Sequence, residues 1–338
     1  FIRIPLINSR LIEINHSDFG ILAFFCDHGH GWPTHISCTY TTNFHNYSLQ
    51  NSEVSCDSII CYQFNGTYLM IVIHEILNLP WPRIALLFLF FYMLMVFFAW
   101  IYADHILFPY PNPPTYEEKE VDFYVTTESG EKIACLHSLA KEPNGLTILY
   151  SHGNGEDLGT LKPLLEEITK FGCNVIAYDY PGYGLSEGSP TEASCNTAID
   201  TLYEYIISEI NIPKERLLLW GRSLGTGPSC YLASKIHIAG VILETPFLSA
   251  FRSVTEIPVL PWDRFRNINI VDKVKSPSLV IHGRYDEVVP FRQGRKIHKY
   301  LPEPKTFLEI QEASHNDLIQ KGGRLYKETI QKFIKTLE

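Results

Sequence analysis

The sequence predicts an α/β fold: an eight-stranded, mostly parallel, doubly wound sheet with helices on both faces, preceded by one transmembrane helix. Two observations lead to this fold class. From Glu120 onward, short apolar segments alternate with segments of helical spacing, and a long uncharged run precedes them. With 46% hydrophobic and 19% charged residues, the 338-residue chain can bury a sizeable core.

The chain divides into two compositional regimes. The first lysine is Lys119, and before it only Arg3, Arg10 and Arg83 carry positive charge. Nucleic-acid binding needs a basic face, and the net charge of −9 gives no reason to expect one, so we expect no nucleic-acid partner. The predicted parts are an N-terminal segment without clear periodicity (1–80), a transmembrane helix (84–102), a proline-rich linker (103–118) and a main domain (119–338).

The transmembrane prediction depends on the run Ile84 to Tyr102. Its nineteen residues carry no charge, close to the roughly 20 needed to cross a bilayer. Trp81 and Trp100 lie near its ends, where aromatic rings favour the membrane interface. A buried core helix and a signal peptide are the alternatives. We therefore expect a single-pass membrane protein, with the linker holding the main domain near the bilayer.

Sequons and cysteines bear on the orientation. Three N-x-S/T sequons precede the span, at Asn15, Asn46 and Asn65. Four cysteines also precede it and could form two disulfides outside the cytosol: Cys26, Cys38, Cys56 and Cys61. These features favour an N-terminal part outside and a main domain in the cytosol. The later cysteines, Cys135, Cys173, Cys195 and Cys230, are expected to be reduced and buried. Neither set has zinc-site spacing, and we expect no metal or cofactor.

The predicted elements of the main domain follow one another in βα units. A turn at Ser129-Gly130 joins the first two strands into a hairpin. Helices are predicted at Leu161–Phe171, at Thr191–Ile210 with Thr191 as N-cap, and from Thr226 to about Ala233. The eight strands are Val121–Thr126, Lys132–Ser138, Thr147–Ser151, Asn174–Tyr178, Arg216–Trp220, Gly240–Leu243, Ser278–Ile281 and Thr306–Ile310. A site is expected where the parallel strands end.

A nucleophile is predicted directly after the fifth strand. There Gly221-Arg222-Ser223-Leu224-Gly225 forms G-x-S-x-G between a strand and a helix, the setting that exposes the serine on a strained turn. Ser186 also lies in a G-x-S-x-G match, but no strand runs directly into it. We therefore predict Ser223 as the nucleophile and interpret the Ser186 match as a loop.

Candidates for the base and the acid follow the last two strands. A serine hydroxyl needs a base, and the base needs an orienting carboxylate. Asp286 comes after the seventh strand and His315 after the eighth, in the order Ser, Asp, His. Glu287 is the alternative acid, and a helix cap or a surface loop are alternative roles for Asp286 and His315. His282 is expected to be structural.

The oxyanion donors are predicted from two backbone amides. Leu224 N–H lies at a helix N-terminus directly after the nucleophile. The second donor is expected in the glycine-rich loop after the third strand, at Asn154, with Gly155 as the alternative. A nucleotide phosphate loop is the competing interpretation, but its lysine and hydroxyl are missing.

Five ordered segments resemble one family: SHGNGEDLG, AYDYPGYGLSEG, GRSLGTGP, IHGRYDEVVP and ASHND. Over residues 119–338 the chain resembles the membrane-associated α/β-hydrolase-domain 17 group and its bacterial relatives. The resemblance implies the α/β-hydrolase fold, the triad Ser223, Asp286 and His315, and an oxyanion hole at Leu224 and Asn154. Eukaryotic members are protein depalmitoylases, which cleave S-acyl thioesters. They attach through a palmitoylated cysteine-rich N-terminus, whereas this chain has an apolar span.

The expected activity is therefore hydrolysis of carboxylic esters or thioesters by a serine hydrolase. The family implies simple esterase activity, and cleavage of long-chain acyl thioesters at a membrane is the more specific hypothesis. Two alternatives stay open. One is a peptidase of the prolyl-oligopeptidase type, although no gating-domain insertion is present. The other is a non-catalytic scaffold with the same fold. Between the sixth and seventh strands lie about thirty-five residues, enough for a helix and loops but not for a large lid.

Overall fold

The computed structural model describes residues 2–5, 11–14, 22–25, 58–61, 80–109, 113–255 and 257–338. These residues fall into two compact units, Phe1–Leu94 and Met95–Glu338. The three sequons and Cys26, Cys38 and Cys56 lie outside the described residues, so the predicted disulfides and glycosylation stay predictions. In the first unit, four short strands form two antiparallel pairs: β1 (Ile2–Pro5) with β2 (Leu11–Ile14), and β3 (Leu22–Phe25) with β4 (Ser58–Cys61).

The apolar run forms one helix, α1 (Pro80–Leu107), of 28 residues. It starts before and ends after the predicted span 84–102. Prolines are tolerated in a first helical turn, which accounts for the earlier start. At 1.5 Å per residue the helix is about 42 Å long. By length and composition it can cross a membrane, and none of the residues in its most apolar 18-residue stretch is buried.

The predicted linker 103–118 begins later than expected. Helix α1 continues to Leu107, and Ala103 and Phe108 are only 1% and 2% exposed. Phe108 belongs to the main apolar core of the second unit. Burying these apolar side chains favours continuation of the helix onto the domain, so the connector is shorter than its proline content indicated.

The sheet of the second unit has the predicted eight strands, and the prediction of a mostly parallel sheet is confirmed. The strands are β5 (Phe123–Thr126), β6 (Lys132–Ser138), β7 (Thr147–Ser151), β8 (Asn174–Tyr178), β9 (Leu217–Arg222), β10 (Gly240–Glu244), β11 (Ser278–Gly283) and β12 (Lys305–Ile310). Their order in the sheet is β12-β11-β10-β9-β7-β8-β6-β5, with β6 antiparallel to both its neighbours and the other pairings parallel.

Helices cover both faces of this sheet. They are α2 (Leu158–Thr169), α3 (Glu192–Ser208), α4 (Thr226–Lys235), the short α5 (Arg252–Thr255), α6 (Phe291–Tyr300) and α7 (Leu318–Lys335). Alternation along the strands fills two apolar cores. Leu149 belongs to the core that also contains residues of α3, α4 and α6, whereas Ile148 and Tyr150 belong to the core that contains residues of α2 and α7. The predicted N-cap is confirmed, because Thr191 Oγ1 accepts a hydrogen bond from Ser194 N.

The cysteines of the second unit are buried free thiols, as predicted. Burial raises the pKa of the Cys230 thiol to about 12, so it stays protonated at neutral pH. The thirty-odd residues between β10 and β11 hold α5 and two single 3₁₀ turns, Asn267–Asn269 and Val271–Lys273. The described part of this stretch is therefore a short cover and not a domain-sized lid.

Candidate active site

The turn after β9 places Ser223 at the carboxyl end of the sheet. Strand β9 ends at Arg222, a 3₁₀ turn covers Ser223–Gly225, and α4 follows. Ser223 has φ +50°, a left-handed conformation that a non-glycine residue adopts at a cost of roughly 1–3 kcal/mol. Such strain is typical of a residue held in place for function.

Gly221 and Gly225, on either side of the serine, are required because a side chain at either position would clash with the backbone. A Cβ on Gly221 would lie 2.4 Å from the Gly225 carbonyl oxygen, and a Cβ on Gly225 would lie 2.0 Å from the Ser151 carbonyl oxygen. The second contact also shows that the loop after β7 passes against the serine turn. The turn thus brings together the two segments predicted to carry the oxyanion donors.

His315 links the other two predicted residues. Its Nε2 lies 2.9 Å from Ser223 Oγ, and its Nδ1 lies 2.8 Å from Asp286 Oδ2. Asp286 follows β11, and His315 follows β12, as predicted. Both side chains are buried, whereas Glu287, the alternative acid, is exposed. The chain therefore contains an unbroken hydrogen-bonded series from a hydroxyl through an imidazole to a carboxylate.

The Asp286 carboxylate is surrounded by donors. Oδ1 accepts hydrogen bonds from the amides of Val288 (2.9 Å) and Val289 (2.7 Å). Burial by itself would raise the pKa of Asp286. Hydrogen bonds from His282 and His315 and the positive potential of His315 outweigh it, so the pKa lies well below its usual range. Asp286 thus stays ionised at neutral pH, within hydrogen-bond distance of the His315 imidazole.

His282 has a larger part in the site than its structural assignment indicated. Its Nε2 lies 3.2 Å from Asp286 Oδ2 and 2.9 Å from the Val289 carbonyl oxygen. Its side chain is fully buried, and a Cβ on Gly294 would lie 2.1 Å from its Nδ1, so α6 packs directly on the ring. The i, i+4 spacing of His282 and Asp286 was the only sequence signal for this contact.

The loop after β7 is fixed by polar contacts of two of its residues, His152 and Asn154. His152 is fully buried, with Nε2 3.4 Å from Asp179 Oδ1, and its carbonyl oxygen accepts a hydrogen bond from Tyr180 Oη at 2.6 Å. The Asn154 side chain makes two hydrogen bonds: Oδ1 accepts from Tyr183 Oη (2.8 Å), and Nδ2 donates to the Leu107 carbonyl oxygen (2.7 Å). None of the described residues accepts a hydrogen bond from the backbone N–H of Asn154.

The Leu224 amide lies in the first turn after Ser223, where the N–H groups of a helix have no intrahelical partner. Its side chain is buried, at 3% exposure, so the turn is fixed by packing. A carbonyl carbon attacked by Ser223 would place its oxygen among donors that are already oriented.

Arg222, the variable residue inside the motif, connects the loops of the site, which sequence reasoning missed. Its Nη1 forms an ion pair with Glu156, and its Nη2 donates to Asn316 Oδ1 at 2.9 Å. Glu156 Oε2 in turn accepts from the Gly153 amide at 2.7 Å. One guanidinium therefore ties the serine turn to the loop after β7 and to the loop of His315.

Ser186 has a structural environment, in agreement with its interpretation as a loop serine. Its Oγ donates to the Asp179 carbonyl oxygen (3.0 Å) and accepts from the Ala134 amide (2.9 Å). In the described part of the chain, no group of three or more His, Cys, Asp or Glu side chains is arranged to hold a metal ion.

Several known proteins are similar to part of this chain. A family model described as serine aminopeptidase, S33, matches residues 142–265. The α/β-hydrolase domain-containing protein aho-3 of Caenorhabditis elegans is 36% identical over 211 residues, covering 62% of this chain and 63% of the relative. Human α/β-hydrolase domain-containing protein 17B is 33% identical over 226 residues, covering 65% of this chain and 78% of the relative.

Solved structures share the fold at low sequence identity. The esterase Pf2001 of Pyrococcus furiosus aligns with a TM-score of 0.55 at 18% identity, covering 68% of this chain and 97% of the esterase. Est1E of Butyrivibrio proteoclasticus, bound to ferulic acid, aligns with a TM-score of 0.53 at 18% identity, covering 64% and 98%. Both support the α/β-hydrolase architecture described above.

Proposed function

Because the chain belongs to the α/β-hydrolase family, in the group of α/β-hydrolase domain-containing protein 17, and is therefore a hydrolase, we propose that it cleaves carboxylic esters and thioesters with Ser223 as nucleophile. The observation that carries the proposal is the position of His315, within hydrogen-bond distance of both Ser223 and Asp286. A base must reach the proton that it removes, and this geometry satisfies that condition without rearrangement.

In the proposed mechanism, His315 Nε2 takes the Ser223 proton as Oγ attacks the acyl carbonyl carbon. Asp286 stabilises the imidazolium that forms. The amides of Leu224 and Asn154 donate to the oxyanion, each contributing about 3–4 kcal/mol to the barrier reduction. The imidazolium then protonates the leaving alcohol or thiol, and water, deprotonated by His315, hydrolyses the acyl-enzyme.

We propose a long-chain acyl group as the substrate, delivered from a bilayer. Support comes from the resemblance to the depalmitoylase group and from the segment between β10 and β11. There Ile257 and Val259 are 66% and 38% exposed. An ion pair between Arg264 Nε and Asp104 Oδ1 (3.1 Å) attaches this segment to the end of α1. Exposed apolar groups at that place suit contact with lipid.

A peptidase is the second candidate, because the matching family model is described as a serine aminopeptidase. Such an enzyme needs carboxylates to bind the substrate amine. The acidic side chains next to the serine turn, Glu156 and Glu244, both face Arg222. Their charge is thus already paired, which favours the esterase over the aminopeptidase.

The test uses the full chain in lipid nanodiscs with matched acetyl and palmitoyl oxygen esters and thioesters, plus an aminoacyl anilide. We expect palmitoyl thioester turnover to exceed acetyl turnover, and Ser223→Ala to lower kcat by roughly 10⁶-fold. Ser229→Ala is the control, because Ser229 lies in α4 and its buried hydroxyl has no hydrogen-bond partner among the described residues. A preference for acetyl esters would contradict the acyl assignment, and anilide turnover would favour the peptidase.

We also propose that α1 spans the bilayer with residues 1–80 outside and the hydrolase domain in the cytosol. The apolar length of α1 supports the span, and the positions of the three sequons support the orientation. Endoglycosidase treatment should shift the chain's mobility, and protease added to sealed vesicles should leave the hydrolase domain intact. A digested hydrolase domain in a chain without glycans would reverse the orientation.

A further inference from the structure

The end of helix α1 is built into the second unit and does not merely lead to it. Trp100 and Tyr102 are 61% and 50% exposed, but Ala103 is 1% exposed and Phe108 is 2% exposed. Between Ala103 and Phe108, His105 and Ile106 stay exposed, so one face of the end of α1 is buried against the domain and the opposite face is not. The last turn of α1 is therefore a structural part of the hydrolase domain.

Phe108 fixes this end against two aromatic side chains. Its ring makes edge-to-face contacts with Tyr183 and Phe265, at centroid separations of 6.4 and 6.2 Å. Tyr183 is fully buried, and its ring also packs against His152 at 5.6 Å. Edge-to-face contacts of this kind add stabilisation beyond the buried area, so Phe108 and Tyr183 hold one another in position.

The Asn154 side chain is hydrogen-bonded both to the end of α1 and to Tyr183. The Leu107 carbonyl oxygen belongs to the last turn of α1, where helix carbonyls lack intrahelical partners, and it accepts a hydrogen bond from Asn154 Nδ2. Tyr183 Oη donates to Asn154 Oδ1. Both ends of one side-chain amide are thus fixed, and with them the orientation of the residue whose backbone N–H is the proposed oxyanion donor.

We propose that the C-terminal end of α1 is a positioning element of the active site: through the Leu107 carbonyl oxygen and the Phe108–Tyr183 contact, it holds Asn154 where its amide meets the substrate oxyanion. The inference rests on the proposed esterase function. It makes the last turn of the apolar helix part of the apparatus that stabilises the transition state, and it couples the state of the helix to the rate of acyl transfer.

The test removes one hydroxyl group. In the full chain in nanodiscs, Tyr183→Phe keeps the ring that packs on Phe108 but removes the hydrogen bond to Asn154. A displacement of about 1 Å at a reacting group can cost 10²-fold, so we expect kcat to fall roughly 10–100-fold with KM unchanged. Affinity for an alkyl trifluoromethyl ketone, whose serine adduct carries the oxyanion, should fall by the same factor as kcat/KM.

Tyr178→Phe is the matched control. Tyr178 is also a fully buried tyrosine of the same aromatic cluster, and its hydroxyl bonds Ser151 Oγ at 3.1 Å instead of Asn154. Tyr183→Phe removes a partly buried hydrogen bond and Tyr178→Phe a buried one, so Tm should fall no further in Tyr183→Phe than in Tyr178→Phe, while only Tyr183→Phe loses kcat. Asn154→Ala, which keeps the backbone N–H and loses both side-chain bonds, should lose kcat at least as strongly as Tyr183→Phe.

Two results in the variants would overturn the inference, and a third would remove the function on which it rests. A wild-type kcat in Tyr183→Phe would show that the hydroxyl does not position Asn154. Parallel losses of kcat, Tm and ketone affinity in both variants would indicate loosening of the aromatic cluster. If the wild-type chain shows no Ser223-dependent ester turnover, the proposed function fails and this inference with it, whereas intact turnover in the variants refutes the inference alone.

Discussion

Replacing Arg222 by methionine is expected to destabilise the hydrolase domain and slow catalysis, because this side chain joins three loops. It forms an ion pair with Glu156 and donates to Asn316 Oδ1, and its Nε lies 3.7 Å from Glu244 Oε1. Asn316 directly follows His315. Methionine keeps most of the apolar volume and removes every one of these polar contacts.

The size of the expected stability loss depends on how far the Arg222–Glu156 ion pair is exposed to solvent. The Arg222 and Glu156 side chains are 15% and 25% exposed. Breaking a fully buried ion pair costs about 3–5 kcal/mol, whereas an exposed pair contributes about 0–1 kcal/mol. We therefore expect the Arg222→Met change to lower the free energy of unfolding by about 2–3 kcal/mol. For a domain of this size that corresponds to a Tm lowered by roughly 4–12 °C.

The assay is thermal unfolding of the full chain in nanodiscs, completed as a double-mutant cycle with Glu156→Gln. Because the two residues share one interaction, the double variant should lose at least about 1 kcal/mol less than the sum of the single losses. Arg324→Met is the control: Arg324 pairs with Glu328 at an exposed position, 88% and 57%, and should change Tm by at most a degree or two. Additive losses, or equal Tm values for Arg222→Met and Arg324→Met, would refute the bridging role.

Three further predictions concern the serine turn and the acid. Gly225→Ala should cost about 3 kcal/mol or more in unfolding free energy, since its Cβ would lie 2.0 Å from a carbonyl oxygen; an unchanged Tm would contradict the close approach. Asp286→Asn should lower kcat about 10⁴-fold, and a loss under tenfold would assign the acid elsewhere. The pKa of Asp286 is depressed, so its carboxylate stabilises the fold above its ordinary pKa of about 3.9, and this stability is lost as pH falls below that value. Unfolding curves between about pH 5 and 3 should therefore decline less steeply for Asp286→Asn than for the wild type.

The strands and the nucleophile could be predicted from the sequence because both depend on local chemistry. Thr147–Ser151 and Asn174–Tyr178 have the predicted bounds because short apolar runs bounded by turn residues have few other solutions in a parallel sheet. Ser223 was predictable for the same reason: the strand, the tight turn and the helix are consecutive in the chain, and both glycines are required there. Strand ends were less well predicted, since β9 and β11 each extend two residues further.

The order of the chain was sufficient to place Asp286 and His315 after neighbouring strands. It could not show that His282 would reach the same carboxylate, because that contact depends on α6 packing against the imidazole ring. Nor could it show the role of Arg222, whose hydrogen-bond partners Glu156 and Asn316 are 66 and 94 residues away in the chain. Contacts of this range leave no local pattern in the sequence.

By itself, the sequence determined the order of the βα units, the apolar helix, the serine turn and the residues at the ends of the strands, because each depends on periodicity or steric limits within a few residues. Only the tertiary structure decided that the end of α1 packs onto the loop of Asn154 and that a single guanidinium joins the loops. The physical reason is that Phe108, Tyr183 and Arg222 gain stability from burial and pairing with partners that approach them only after the sheet has formed.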